Sequence, residues 1–253
     1  MTHPAGFSVP LSLPRRLMAD LLAHAVPASL AERRMDLFRL AAARGPASPR
    51  PGWAALFTKA WALACRYAPA LRRSWMGWPW ARLHQHPESV ASVAVERPFG
   101  DESAVFFLTV RAPDTKPVAE IDAAIQRFRD RPLESSGAIR RQLRVSALPW
   151  AARRLAWWTG LHWSGRRRGR IFGTFGVSSC AGHGAEGLSG RTLQAATLHP
   201  GTVGPGGQAT VRVAYDPRVV DAPTVARALD AMERILSNDL VAELRYLEAV
   251  RAA

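Results

Sequence analysis

Between Leu13 and Ala25, Leu13, Leu17 and Leu21 recur at four-residue spacing with Leu22 alongside, and Pro27 follows. That spacing predicts a short amphipathic helix. Phe57, Trp61 and Ala64 mark one face of a second helix over Trp53–Tyr67, which ends before Pro69; the proline-rich loop "RGPASPRPG" (44–52) separates the two. The period then changes. "SVAVE" (92–96) and "AVFFLTVR" (104–111) are rich in β-branched and aromatic residues, with turn chemistry in "PFGDES" between them, and predict two strands. The second run is apolar nearly throughout, as a strand covered on both faces requires. In "KPVAEIDAAIQRFRD" (116–130), Val118, Ile121, Ile125 and Phe128 return to a helical stripe. "RIFGTFGVSS" (170–179) and "ATVRVAYD" (209–216) are read as two further strands, the latter with Val211, Val213 and Tyr215 on one face. Pro223 suits a first helical turn. Val225, Leu229, Met232 and Leu236 continue that helix, and Leu240, Leu244 and Leu247 mark a last short one. Strands and helices mix without a regular βαβ alternation, which predicts an α+β fold.

With 253 residues, 48% of them apolar, the chain has ample material for a core and is read as a single domain over 1–253. No apolar run reaches the length of a spanning helix. "LPRRLMADLLAHAVPASLA" mimics a signal peptide, but Asp20 and His24 interrupt it and favour an amphipathic helix. Cys65 and Cys180 lie far apart, without metal-knuckle spacing; no metal site is expected, and a reducing cytoplasm is the default. Cys65, on an apolar helical pattern, reads as a buried small hydrophobe. "GPGGQ" (204–208) reads as a turn and not as a phosphate loop. Charge changes the picture more: 34 Lys and Arg against 20 Asp and Glu give +14, which attracts polyanions.

The order of pieces is informative. "GTFGVSS" (173–179), followed by "YDPRVVDA" (215–222) and an amphipathic helix, resembles the catalytic domain of dihydrolipoyl acyltransferases. These are the core subunits of 2-oxoacid dehydrogenase complexes and share the chloramphenicol acetyltransferase fold. Looser matches at 14–27, 33–44, 56–75 and 106–125 extend the resemblance over almost the whole chain. It implies a mixed, mostly antiparallel sheet flanked by helices, trimeric assembly, and a site between subunits where an acyl thioester meets a thiol or hydroxyl acceptor. It also implies that a histidine deprotonates the acceptor, a serine stabilises the oxyanion, and an aspartate supports the loop.

Against the family's GTFxxSN and DHRxxDG, Gly173, Thr174 and Phe175 match, and Ser178 falls on the oxyanion serine. Asp216, Arg218 and Asp221 match the second motif, but Pro217 occupies the position of the missing histidine, Ala222 replaces the glycine, and Ser179 replaces the asparagine. Proline cannot titrate, and a positioned base contributes roughly 10²–10⁴ in rate. The structural reading of Asp216, Arg218 and Asp221 is an ion pair and a loop or helix cap. His183 and His199, between the motifs, are candidate substitute bases. His84 and His86 in "HQHP" are spaced like a weak metal pair, better read as a loop.

Where the family has a short link, residues 148–170 ("LPWAARRLAWWTGLHWSGRRRGR") interleave tryptophan with arginine, and Leu148, Ala151, Leu155 and Trp158 share one helical face. The segment fits packing against the core or a subunit neighbour, an anionic membrane surface, stacked nucleic-acid bases, or phosphate groups of coenzyme A held by Arg166, Arg167 and Arg168. No lipoyl group, lipoyl domain or peripheral-subunit-binding segment is expected on this chain. Three functional readings follow. The first is a pseudoenzyme of the acyltransferase fold serving as a binding or assembly component, a homotrimer or a heteromer with an intact paralogue. The second is an active coenzyme A thioester-dependent acyltransferase on a hydroxylated or lipid-like acceptor, with a relocated base. The third is a basic binder of membrane or, less in keeping with the sequence, nucleic acid. The expected location is cytoplasmic, peripheral to the inner membrane face if the insertion binds lipid.

Overall fold

A computed structural model describes residues 11–47 and 49–252; residue 48, in the predicted proline-rich loop, lies outside them. In chain order, α1 (Leu13–His24) leads to β1 (Val26–Pro27) and β2 (Ser29–Asp36), then α2 (Phe38–Arg44) and α3 (Trp53–Tyr67). Two hairpins follow, β3 (Arg73–Met76) with β4 (Arg82–Gln85), and β5 (Val90–Phe99) with β6 (Glu102–Arg111). A helical run comprises α4 (Val118–Asp130), α5 (Gly137–Ala147), α6 (Trp150–Trp158) and α7 (Gly165–Phe172). The chain then forms β7 (Phe175–Val177), β8 (Arg191–Thr192), β9 (Ala196–Pro200) and β10 (Gln208–Tyr215), and closes with α8 (Ala222–Ser237) and α9 (Asp239–Ala252).

The main sheet has the order β2-β10-β9-β7-β5-β6. The outer pairings, β2–β10, β10–β9 and β5–β6, are antiparallel, whereas β7 runs parallel to both β9 and β5. This is the mixed, mostly antiparallel α+β sheet expected. One face is covered by α3, α4 and α8, the other by α1, α5 and α7. The fully buried side chains Phe57 and Trp61 of α3, Phe106 of β6 and Phe175 of β7 form the heart of the first layer. Ten of the fifteen residues of α3 are buried, including Lys59, whose ammonium pairs with Glu243 of α9. Glu243 also accepts the first backbone N–H of α4, from Val118 at 2.7 Å, so three helices are tied at one carboxylate.

Helix ends follow the local chemistry. Ser12 caps α1 by accepting from the Arg15 N–H, with Pro14 in the first turn. Asp221 caps α8, and Pro223 lies in its first turn, as the sequence predicted for the proline. The strand expected over 170–179 is shorter. Residues up to Phe172 complete α7, and only Phe175–Val177 are extended, because Gly173 turns the chain at φ 80. β2 and β9 were not predicted. β2 is an edge strand with only Met35 fully buried, so its polar residues hide its period, and β9 is too short to show one.

Candidate functional site

The "GTF" turn fixes the position of Ser178. A Cβ on Gly173 would lie 2.9 Å from the Val90 carbonyl oxygen and 3.1 Å from Ser92, so glycine serves both the close approach and the positive φ. Thr174 then fastens the turn to the start of β5: its N–H donates to the Val90 carbonyl at 2.7 Å, and its hydroxyl accepts the Val90 N–H at 2.9 Å. These bonds set the parallel register in which Ala91 faces Phe175 and Val177 faces Leu198. Ser178 follows directly, its N–H donating to the Leu198 carbonyl at 2.9 Å, which places it level with His199 on the neighbouring strand.

Ser178 and His199 line the same cavity, about 500 Å³ in volume, between the sheet and the layer of α1, α5, α6 and α7. That volume suits a small-molecule ligand. Its walls are mainly apolar, built by Leu21, Ala94, Val105, Phe107, Trp157 and Phe172. Side chains at alternate positions of β6, Val105, Phe107 and Thr109, face it, while Ala104 and Phe106 are buried on the other side. Arg141, Arg167 and Arg191 supply positive charge on its lining. The Ser178 hydroxyl makes no hydrogen bond with the described residues, so it is available to a ligand. His199 is only 6% exposed and its Nε2 has no partner among the described residues. Burial lowers its pKa, opposed by a hydrogen bond to the Ser178 backbone, so the ring is held neutral at neutral pH.

The second motif sits elsewhere. In register, Arg212 of β10 lies opposite His199, level with Ser178, and the strand runs on through Tyr215 before reaching Asp216 and Pro217. Three residues of strand amount to ~10 Å, and β10 lies two strand positions from β7, a further ~10 Å. Within one chain, Ser178 and Pro217 are therefore at different ends of the sheet, and an imidazole at 217 would not meet Ser178 of the same chain. Asp216 is buried and grips Arg218 through Nε at 2.9 Å and Nη2 at 2.8 Å, while also accepting the Arg218 backbone N–H at 3.0 Å. Arg218 lies over the Trp75 ring at 5.3 Å. Asp221 accepts from the Thr224 N–H, and these bonds lower its pKa. The loop is thus an ion pair followed by a helix cap.

Of the remaining sequence candidates, Arg166 and Arg167 are exposed, but Arg168 is not available to a phosphate. It is buried, donating to the carbonyls of Trp75 and Leu193, each at 2.6 Å, and burial lowers its pKa to about 10. His183 ends a short 3-10 turn, and its side chain lies outside the described residues. His84 and His86 pack under α7, where Cβ atoms on Gly165 and Gly169 would collide with their rings. His86 bonds Ser74 at 2.9 Å, and burial pushes its pKa down to about 4. Among the described residues no His, Cys, Asp and Glu group could hold a metal. Cys65 is fully buried, which raises its thiol pKa. The stripe of Leu148, Ala151, Leu155 and Trp158 lies on the outer side of this segment, with Leu155 facing outward, while Trp157 is the tryptophan of α6 that is buried.

No family model and no curated protein matches the chain. Solved structures do. A probable dihydrolipoamide acetyltransferase from Listeria monocytogenes 4b F2365 aligns with a TM-score of 0.65 at 19% identity, covering 91% of this chain and 94% of that one. The cubic core of the pyruvate dehydrogenase multienzyme complex gives a TM-score of 0.66 at 17% identity over 92% of both chains. A truncated catalytic core of the 2-oxoacid dehydrogenase multienzyme complex from Thermoplasma acidophilum gives 0.63 at 14% identity, covering 92% of this chain and 99% of that chain. Over nearly its whole length, the chain has the fold of the acyltransferase catalytic cores of 2-oxoacid dehydrogenase complexes.

Proposed function

We propose that this protein binds an acyl group in the cavity beside Ser178, and that the acid–base chemistry expected at position 217 is lost. One observation carries the reading: Ser178 opens into an apolar cavity of about 500 Å³, while position 217 is proline, in a loop whose charged side chains are engaged structurally. The apolar walls suit an acyl chain, and Arg141, Arg167 and Arg191 suit an anionic carrier such as the phosphates of coenzyme A. On this reading the protein is a binding or assembly component, alone or beside an intact paralogue.

A second reading is favoured by His199. Its unpartnered Nε2 and neutral ring, next to Ser178, make it a base of the kind the inherited site lacks. Nε2 would take the proton of a hydroxyl acceptor as that oxygen attacks the thioester carbonyl, and the Ser178 hydroxyl would donate to the oxyanion. Collapse would expel the thiolate, which regains the proton from the imidazolium.

Turnover of acyl-coenzyme A by the parent, His199→Ala and Ser178→Ala proteins separates the two. The first reading predicts binding with little or no turnover in any of the three. The second predicts parental turnover that falls by roughly 10²–10⁴ in His199→Ala and by roughly 10²–10³ in Ser178→Ala. Because burial lowers the pKa of His199, that activity should be level above the ordinary histidine range of ~6.5 and fall only in acid. Neither binding nor turnover would sink both readings.

A further inference from the structure

The apolar stripe of α6 exists but points away from the protein. Leu155 is 61% exposed and Leu148 and Ala151 are exposed, whereas the inner face of the same helix gives Ala156 and Trp157 to the cavity wall. A second, distant segment extends this outer face. The tip of the β3–β4 hairpin, "GWPWA" (77–81), is exposed throughout, and Trp78 stacks on Trp163 at 5.8 Å and meets Trp158 edge-on at 5.4 Å. Trp80 is 67% exposed and Trp163 is 59% exposed. Burying such large apolar side chains is a reason for a surface to find a partner.

Charge narrows the identity of that partner. Arg82 lies over the Trp80 ring at 5.5 Å and Arg154 over Trp150 at 5.1 Å, while Arg166 and Arg170 are exposed nearby in sequence on α7. Arg153, by contrast, is turned to Asp20 at 2.8 Å. No Asp or Glu occurs between Asp36 and Glu88 or between Glu134 and Glu186, the two stretches that contribute this face. A second copy docking through the same patch would set arginine against arginine.

We propose that this Trp/Arg face seats the protein on an anionic lipid bilayer. Indoles prefer the boundary between headgroups and acyl chains, and arginines reach the phosphates. No described helix is long and apolar enough to cross a membrane, so the contact is peripheral. The geometry also has a chemical logic: one wall, α6, would carry lipid contacts outside and the acyl cavity inside. The proposal stands whether or not that cavity is catalytic.

Sedimentation with vesicles of phosphatidylcholine and phosphatidylglycerol, against phosphatidylcholine alone and against duplex DNA, tests it. The parent should pellet with the anionic vesicles, and its tryptophan emission should shift to the blue. Each basic residue near such a surface is worth about fivefold in affinity, so Arg154→Gln/Arg166→Gln/Arg170→Gln should lose ~100-fold. Trp80→Ser/Leu155→Ser/Trp163→Ser should lose the emission shift; these side chains are exposed, so the far-ultraviolet circular dichroism should not change. Arg39→Gln/Arg227→Gln/Arg245→Gln, exposed on helices of the opposite layer, should keep most of its affinity. Failure of the parent to bind anionic vesicles overturns the proposal. So does binding to DNA without vesicles, an equal loss in the charge-matched control, or a change of oligomeric mass in the Trp/Leu variant without vesicle binding.

Discussion

Asp216 is buried while the guanidinium it holds is 41% exposed, so the pair anchors a surface loop from beneath. Its oxygens accept three hydrogen bonds from Arg218 alone, and the side-chain bonds raise the pKa of that arginine. Asp216→Ala should therefore cost about 2–3 kcal/mol, the range for losing hydrogen bonds to a charged group. In thermal unfolding this is a Tm lowered by roughly 5–10 °C for a chain of this size. An unchanged Tm would mean that the loop is not held by this pair. The motif that suggested catalysis by its resemblance is thus built as structure in this chain, and the proline within it is consistent with that use. At Ser178 and His199 the reverse applies, since both line the cavity and neither the Ser178 hydroxyl nor His199 Nε2 has a hydrogen-bond partner among the described residues.

At the scale of elements, legibility tracked burial and length. α3, with apolar residues on every side, was readable to its ends at Trp53 and Tyr67, and α8 was readable through Pro223 and its stripe. The fold's order was legible through "GTF" and "DPRVVD", because Gly173 and Thr174 are demanded by one turn and Asp221 by one cap. β2 was not, since an edge strand needs few apolar residues to hold it. The split of residues 170–179 between helix and strand depended on Gly173 adopting a positive φ, which no periodicity reports. Ser178 and His199 were both visible as candidates. Their shared cavity was not, because it needs α1, α5 and α6 brought over strands far away in sequence.

For the whole molecule, the separation of Ser178 from Pro217 within one chain fits a site completed by a neighbouring copy, as the sequence resemblance implies. A homotrimer, or a heteromer with an intact paralogue, is the expected assembly, measured by light scattering at micromolar concentration; a clean monomer would count against any inherited site between subunits. The central claim concerns the cavity itself, and calorimetric titration with coenzyme A thioesters of increasing acyl length tests it most directly. Each methylene buried in the apolar walls should tighten binding by about fourfold, from ~0.8 kcal/mol per CH₂, until the cavity is filled. Ala94→Phe, which places a ring in that space, should flatten the series at its longer members. Affinity independent of chain length in the parent, or a series unaltered by Ala94→Phe, would contradict acyl binding at this cavity.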